Sequence, residues 1–244
     1  MASIHQTPWP DLIPEDQWQT YKRVIDDAKK REIPFALGGA FCRAHYTGLW
    51  RNTKDIDLYV LPKDKDAMIE TVTAAGLRDY YDIMPYDRSW IYRAHCGEII
   101  VDIIWAMANG RGEVDEEWIF NGPETNLRGE PLRVIPAEEI IWDKLYIMQR
   151  DRCDWPDALN LIYARGAVLD WHHIFERLGD DEPLLAGLLS VFGWLCSAGS
   201  QIVPRWVWSR LNLPAPLVAG SMEIDQRRVH LLDSRPWFAA GANS

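Results

Sequence analysis

Residues 35–61, FALGGAFCRAHYTGLWRNTKDIDLYVL, decide the fold of this chain. An apolar run ends in two adjacent glycines, Gly38 and Gly39, and a second apolar, strand-like run carries Asp55 and Asp57. Alternate side chains of a strand point to one face, so these two carboxylates should lie about 6 to 7 Å apart at the backbone. Like charges that are close and partly buried repel each other. The pattern therefore predicts a divalent cation, Mg²⁺ above all, at Asp55 and Asp57.

The two glycines predict the other half of such a site. Because glycine has no Cβ, the backbone at Gly38 and Gly39 can approach a triphosphate closely and direct its amides at it. This arrangement is most effective where a helix begins, since the first amides of a helix have no partner within it. We therefore expect both glycines to bind the phosphates of a nucleotide.

A third carboxylate lies in residues 97–105, GEIIVDIIW, which have the pattern of a buried strand. Asp102 is the single acid within its apolar run, and an ionised carboxylate in such a run needs a partner. If this strand lies beside Asp55 and Asp57, the three carboxylates could hold two metal ions. The alternative is that all three are surface aspartates on an edge strand.

These residues resemble a known family. The glycine pair, Asp55 and Asp57 two residues apart, and Asp102 on a later strand are similar to the polymerase-beta-type nucleotidyltransferase superfamily. The hallmark of that superfamily is a Gly-Gly or Gly-Ser turn, an Asp-x-Asp/Glu strand and a third strand acid. The resemblance implies that Asp55, Asp57 and Asp102 are catalytic and bind two Mg²⁺ ions, with Mn²⁺ as a substitute, and that an NTP is the substrate.

A narrower resemblance is to the AbiEii-like nucleotidyltransferase toxins of abortive-infection and toxin–antitoxin systems. Residues 51–58, RNTKDIDL, are similar to the Arg-x-Ser/Thr-x-Asp-x-Asp segment of that branch. Lys144 and residues 150–157 are similar to its helical Lys and Arg-x-x-x-Asp segment, whereas Ala40 directly follows the glycines without an intervening Ser or Thr. The resemblance covers about residues 30–165. It implies that Lys144 binds the nucleotide phosphates and that an antitoxin is a partner.

Three cations near the predicted site each have two interpretations. Arg51 and Lys54 flank the carboxylate strand, where they would neutralise the triphosphate or the leaving pyrophosphate, or would be surface charges without a role. Lys144 either binds phosphate or covers apolar surface with its stem. Asp157 either orients Lys144 or Arg152, or lies exposed at the start of a helix.

Composition limits the class of protein. The chain has 244 residues, 48% hydrophobic and 25% charged, as expected of a globular protein. Its formal charge of −10 disfavours a general nucleic-acid binder. The four cysteines include no Cys-x-x-Cys pair, which disfavours a zinc site and favours a reduced, cytoplasmic setting. No apolar run is long enough to span a membrane and no signal sequence is evident, so we expect no membrane association.

The order of elements predicts an α/β (α+β) fold with a mixed sheet. We expect a nucleotidyltransferase domain over residues 15–135, a helical domain over residues 136–213, and an extended or disordered tail over residues 214–244. The predicted strands cover residues 35–37, 56–61, 80–86, 90–94, 99–107 and 132–135. The predicted helices cover residues 16–31, 40–46, 63–75, 137–152, 155–163, 184–196 and 204–211, with a further helix capped by Asp170.

The predicted reaction moves a nucleoside monophosphate from an NTP to an acceptor and releases pyrophosphate. The acceptor is left open among tRNA, a protein and a small molecule. The toxin resemblance favours tRNA, and the acidic charge favours a protein or a small molecule. An antibiotic nucleotidyltransferase, of the aminoglycoside-modifying kind, is one alternative. A non-catalytic nucleotide-binding or partner-binding module on the same fold is another.

Overall fold

The computed structural model describes residues 9–50, 53–216, 223–235 and 237–238. The chain divides into two compact units, Met1–Pro136 and Ala137–Ser244. Within the described residues, all named strands lie in the first unit, while the second unit is helical. The predicted α/β fold class with a mixed sheet is confirmed.

The first unit is built on a five-stranded sheet with the strand order β1-β2-β5-β4-β3. The central pair, β2 and β5, is parallel, and the other three pairs are antiparallel. Two further strands, β6 and β7, form a separate antiparallel pair. The strands are β1 (Phe35–Leu37), β2 (Asp55–Val60), β3 (Arg78–Asp79), β4 (Ile91–Cys96), β5 (Ile99–Ile104), β6 (Glu124–Leu127) and β7 (Glu130–Arg133).

Helices cover this sheet and separate its strands along the chain. The first-unit helices are α1 (Glu15–Lys30), α2 (Gly39–Thr47), α3 (Lys65–Ala74) and α4 (Glu116–Phe120), with 3₁₀ turns at Trp9–Leu12, Pro62–Asp64 and Tyr80–Asp82. Helix α1 packs on α3 and β5 through an apolar face with helical spacing, formed by Trp18, Tyr21, Val24, Ile25 and Ala28, all of them buried. Burial of one such large side chain contributes about 1.5–3 kcal/mol, so this face holds α1 in place.

Two segments of the first unit differ from the prediction. Residues 80–86 do not form a strand, because the Asp79 carboxylate accepts from Tyr81 N at 2.8 Å and closes a 3₁₀ turn. No helix or strand is predicted within residues 109–129, but they contain α4 and β6. Asp115 caps α4, and Glu116 and Glu117 lie in its first turn.

The second unit is a group of helices around α8, which packs on α5, α6, α9 and α11. Its helices are α5 (Ala137–Leu145), α6 (Trp155–Arg165), α7 (Trp171–Leu178), α8 (Glu182–Leu195), α9 (Gly199–Ile202), α10 (Arg205–Arg210) and α11 (Gln226–Leu232), with a 3₁₀ turn at Gly179–Asp181. Asp170 caps α7 by accepting from His173 N at 3.1 Å, as predicted.

Two predictions for this unit need correction. The helix expected over residues 137–152 ends at Leu145, because the following segment folds back on itself. Asp154 N donates to Ile147 O at 3.0 Å, and Gln149 N donates to Arg152 O at 2.7 Å. The tail expected over residues 214–244 is not wholly extended, since it contains α11. Residues 217–222, 236 and 239–244 of that tail lie outside the described residues.

None of the described helices combines the length and the apolar character that crossing a membrane requires.

Candidate active site

The sheet register brings two of the predicted carboxylates together. Asp57 on β2 lies directly opposite Asp102 on β5, and Asp102 lies directly opposite Arg93 on β4. Directly opposite residues of a sheet share a face, so the three side chains form a row across three adjacent strands. Asp55, two residues before Asp57, lies on the same face. We call Asp55, Asp57, Asp102 and Arg93 the carboxylate row.

Arg93 holds the buried end of this row. Its Nε donates to Asp102 Oδ1 at 2.8 Å and its Nη2 to Asp102 Oδ2 at 2.6 Å, so both carboxylate oxygens are engaged. The Asp102 side chain is 2% exposed and that of Arg93 is 31% exposed. The hydrogen bond to Asp102 raises the pKa of Arg93; burial opposes this, and Asp102, Asp55 and Asp57 raise it further. The guanidinium is therefore the charge partner that the buried Asp102 requires.

The glycine pair lies against Asp57. Gly38 N donates to Asp57 O at 2.9 Å, which ties the turn to β2. Gly39 has φ +50°, and a Cβ built on it would overlap Asp57 Oδ2. A Cβ on Gly38 would overlap the ring of Tyr59, which is stacked on Trp118. Both positions thus require glycine, because the backbone passes directly over the Asp57 and Tyr59 side chains.

Helix α2 begins at this turn. Gly38 is its N-cap residue, and no side chain caps the helix there. The first amides of a helix have no acceptor within the helix and carry a partial positive charge. The turn therefore combines close backbone approach, helix amides and the Asp57 carboxylate in one place, as expected of a phosphate-binding turn beside a cation site.

Helix α1 fixes the start of the carboxylate strand. Gln17 Nε2 donates to Thr53 O at 2.5 Å and to the Tyr21 hydroxyl at 2.6 Å. The Thr53 hydroxyl in turn donates to Asp55 Oδ1. Burial raises the pKa of Tyr21, the hydrogen bond from Gln17 lowers it, and Asp55, Asp57 and Asp102 raise it further. All three carboxylates thus act on one buried hydroxyl.

The donor set suits a divalent cation at Asp55 and Asp57. Both side chains are half-buried and lie on one face of the sheet. Their carboxylate oxygens are the ligands that hard cations such as Mg²⁺ prefer. Asp102 differs, because Arg93 already engages both of its oxygens. In the described part of the chain, no group of three or more His, Cys, Asp or Glu residues has the arrangement of a metal site.

The other residues predicted for the site have different surroundings. Arg51 lies outside the described residues. Lys54 lies just before β2 and forms an exposed ion pair with Glu98 at 2.7 Å. Exposed ion pairs of this kind contribute little to stability, and the nucleotide-binding role of Lys54 stays a prediction.

Lys144 lies in the second unit and is engaged by carboxylates. Its Nζ lies 2.9 Å from Asp154 Oδ2 and 3.1 Å from Asp157 Oδ2, and the residue is 8% exposed. Arg152 also binds Asp154, at 2.8 Å. Burial would raise the pKa of Asp154, but the Arg152 hydrogen bond and the Lys144 charge outweigh it and hold that pKa at about 2. Asp154 and Asp157 thus hold Lys144 in place, and the binding of nucleotide phosphates by Lys144 stays a prediction.

Sequence reasoning missed Arg93, Gln17 and Tyr21. Arg93 lies in residues 91–96, IYRAHC, and the sequence alone does not show that this strand pairs with the one carrying Asp102. Gln17 and Tyr21 lie four residues apart on one face of α1, and only the tertiary contact with Thr53 reveals their role.

No protein-family model and no curated protein sequence matches the chain. ANT(2'')-Ia in complex with adenylyl-2''-tobramycin is 20% identical over 72% of this chain and 98% of its own, with a TM-score of 0.48. LnuA, a lincosamide antibiotic adenylyltransferase with lincomycin bound, is 19% identical over 61% of this chain and 96% of its own, with a TM-score of 0.43. JHP933 from Helicobacter pylori is 14% identical over 91% of this chain and 98% of its own, with a TM-score of 0.41. These are similarities at low identity, and the function of the chain has to follow from its own residues.

The glycine turn predicts a difference between two alanine variants. Gly39 and Gly48 both have positive φ, but only Gly39 is crowded, by Asp57. Gly48→Ala should lower the free energy of unfolding by about 1 kcal/mol, through backbone strain alone. Gly39→Ala should lower it by at least about 2 kcal/mol, because the Asp57 carboxylate must also move. Urea denaturation of both variants checks this, and equal losses would contradict the close contact with Asp57.

The network around Lys144 predicts a pH dependence of stability. Burial raises the pKa of the half-buried Asp143 from its ordinary 3.8 to about 6. Between pH 4 and 6 the folded protein then keeps a proton that the unfolded chain releases, so this contribution to stability is lost as the pH rises. Asp143→Asn should abolish this loss, so that its stability relative to the wild type rises by about 1–3 kcal/mol from pH 4 to 6. Denaturation at several pH values measures it.

The exposed Asp151 in the same segment provides the control. Asp151→Asn should keep the pH dependence of the wild type. If the stability curves of Asp143→Asn and the wild type ran parallel from pH 4 to 6, the proposed protonation of Asp143 would be wrong.

Proposed function

We propose that the chain is a nucleotidyltransferase that moves a nucleoside monophosphate from an NTP to an acceptor. The observation that carries this proposal is the contact between the glycine turn and the Asp57 carboxylate, on the face that also bears Asp55 and Asp102. A phosphate-binding turn and a cation site joined in this way suit a substrate that is both a polyphosphate and a metal ligand.

In the proposed complex, the backbone at Gly38 and Gly39 and the first amides of α2 bind the triphosphate. Asp55 and Asp57 hold the divalent cation. When bound, Mg²⁺ supplies positive charge to the phosphate oxygens. Gln17 and Thr53 fix Asp55 through the hydrogen bonds at the start of β2, so that the carboxylate is in place before the substrate arrives.

The proposed reaction is a displacement at the α-phosphorus of the NTP. An oxygen of the acceptor forms a bond to this phosphorus while the bond to the oxygen bridging the α- and β-phosphates breaks. Pyrophosphate leaves with that bridging oxygen, and the proton of the acceptor passes to solvent. The sequence predicts Asp102 as a further metal ligand and proton acceptor. Because both of its carboxylate oxygens accept hydrogen bonds from Arg93, we assign the metal ion to Asp55 and Asp57.

We infer that the acceptor is a small hydroxylated molecule or a protein. The formal charge of −10 opposes the approach of a polyanion, and this disfavours tRNA. A toxin role with a tRNA acceptor and an antitoxin partner is supported by the sequence resemblance alone.

A second candidate is a module that binds Mg²⁺-NTP without transferring it. The engagement of Asp102 by Arg93 favours this candidate, because a site whose third carboxylate is paired with a guanidinium retains nucleotide binding but has one reactive group fewer. The two candidates differ in whether label from the NTP reaches an acceptor.

The test is transfer from each α-labelled NTP in the presence of Mg²⁺. The acceptors offered are total RNA, the protein itself and a panel of aminoglycosides. The wild type should label one acceptor. Asp57→Asn should reduce labelling at least about a hundredfold, because it removes a cation ligand. The variant should still unfold in a cooperative transition, which shows that it is folded.

Asp66→Asn is the matched control, since Asp66 lies exposed on α3. It should label the acceptor as the wild type does. Full activity of Asp57→Asn would refute the proposed site. Metal-dependent NTP binding without transfer to any acceptor would favour the non-catalytic module.

A further inference from the structure

We propose that Arg93 takes the place of a second metal ion at Asp102, so that the site binds a single divalent cation, at Asp55 and Asp57. This inference rests on the proposed function and deepens it. It departs from the expectation of two ions that the sequence resemblance implied. Arg93 is thereby a positioning residue, which acts on the site through Asp102.

The first support is the geometry of the Arg93–Asp102 pair. A metal ion at Asp102 would have to share a carboxylate oxygen with the guanidinium, which donates to both oxygens, so two cations would lie against one carboxylate. Bidentate pairs of this kind are short and fixed in orientation, because the planar guanidinium matches the carboxylate. The pair is also buried on the Asp102 side, so separating it would leave an uncompensated charge inside the sheet.

The second support is that Arg93 is held at its own end. Its backbone N donates to the Tyr86 hydroxyl at 2.9 Å, and that hydroxyl donates to Asp79 Oδ1 at 3.0 Å. The guanidinium carbon lies 5.9 Å from the centre of the Tyr80 ring, within range of a cation–π contact. The strand and ring around Arg93 thus keep it directed at Asp102.

The third support is the charge of the carboxylate row. Three carboxylates and one guanidinium leave two negative charges, which one divalent cation neutralises. Before a polyphosphate binds, a second divalent cation would give the row an excess of positive charge. With or without the polyphosphate, that cation would lie beside the guanidinium in a partly buried site, where like charges repel. One guanidinium and one divalent cation therefore neutralise the three carboxylates of the carboxylate row.

The test counts bound Mn²⁺ ions per chain by equilibrium dialysis of the full chain with Mn²⁺ and inorganic triphosphate. Triphosphate is used because it does not depend on the identity of the NTP. The wild type should bind one Mn²⁺. Arg93→Gln should bind two, because Asp102 is released for the second ion. Arg88→Gln, which removes an exposed arginine paired with Asp79, should bind one as the wild type does.

Asp102→Asn keeps the test valid even if Arg93→Gln fails to fold. It should retain one Mn²⁺, since Asp102 is not a ligand in this account, and loss of that ion would overturn the inference. Thermal unfolding checks that each variant is folded.

The outcomes separate the inference from the proposed function. Two ions in the wild type would overturn the inference and leave the nucleotidyltransferase proposal intact. A single ion in folded Arg93→Gln would also overturn it. No bound Mn²⁺ in the wild type would overturn both, because both require a cation at Asp55 and Asp57.

Discussion

The ion pair between Arg93 and Asp102 is the interaction on which the candidate site depends. Asp102 lies in the middle of the sheet, on a strand that is apolar apart from this residue, and an unpaired carboxylate there would be strongly destabilising. The guanidinium on the neighbouring strand offsets this cost. Because the sheet register places Asp57 beside Asp102, the same ion pair also sets the electrostatic field at the cation site. Fold stability and site chemistry are therefore coupled through one contact.

The local pattern of residues 35–61 was sufficient to predict the strand, turn, helix and carboxylate strand of the site. Each depends on a short-range rule, such as alternation in a strand or the need for glycine where the backbone passes close to a side chain. That the strand carrying Asp102 lies beside the one carrying Asp55 and Asp57 was only a condition at the level of the sequence, and the parallel pairing of β2 with β5 is a finding of the structure. Arg93 was not predicted, because a lone arginine in a strand does not show which strand lies next to it. That information resides in the register of the sheet.

The errors in the second unit have a similar origin. The apolar spacing of residues 137–152 fits a helix, but the buried Lys144 draws Asp154 and Asp157 to itself, and the chain turns back after Leu145 to bring them there. The spacing of apolar residues indicates which face of a helix is buried. It does not reveal the ion pairs of Lys144 with Asp154 and Asp157, which require the chain to turn back.

The central claim is that a triphosphate and one cation meet where the glycine turn contacts Asp57. A crystal structure of the chain with Mn²⁺ and triphosphate, with the anomalous signal of manganese measured, tests this claim most directly. The account predicts a single manganese peak between the Asp55 and Asp57 carboxylates, triphosphate oxygens at the amides of Gly39 and α2, and Arg93 still on Asp102. Manganese bound to Asp102 with Arg93 displaced, or triphosphate bound away from the glycine turn, would contradict it.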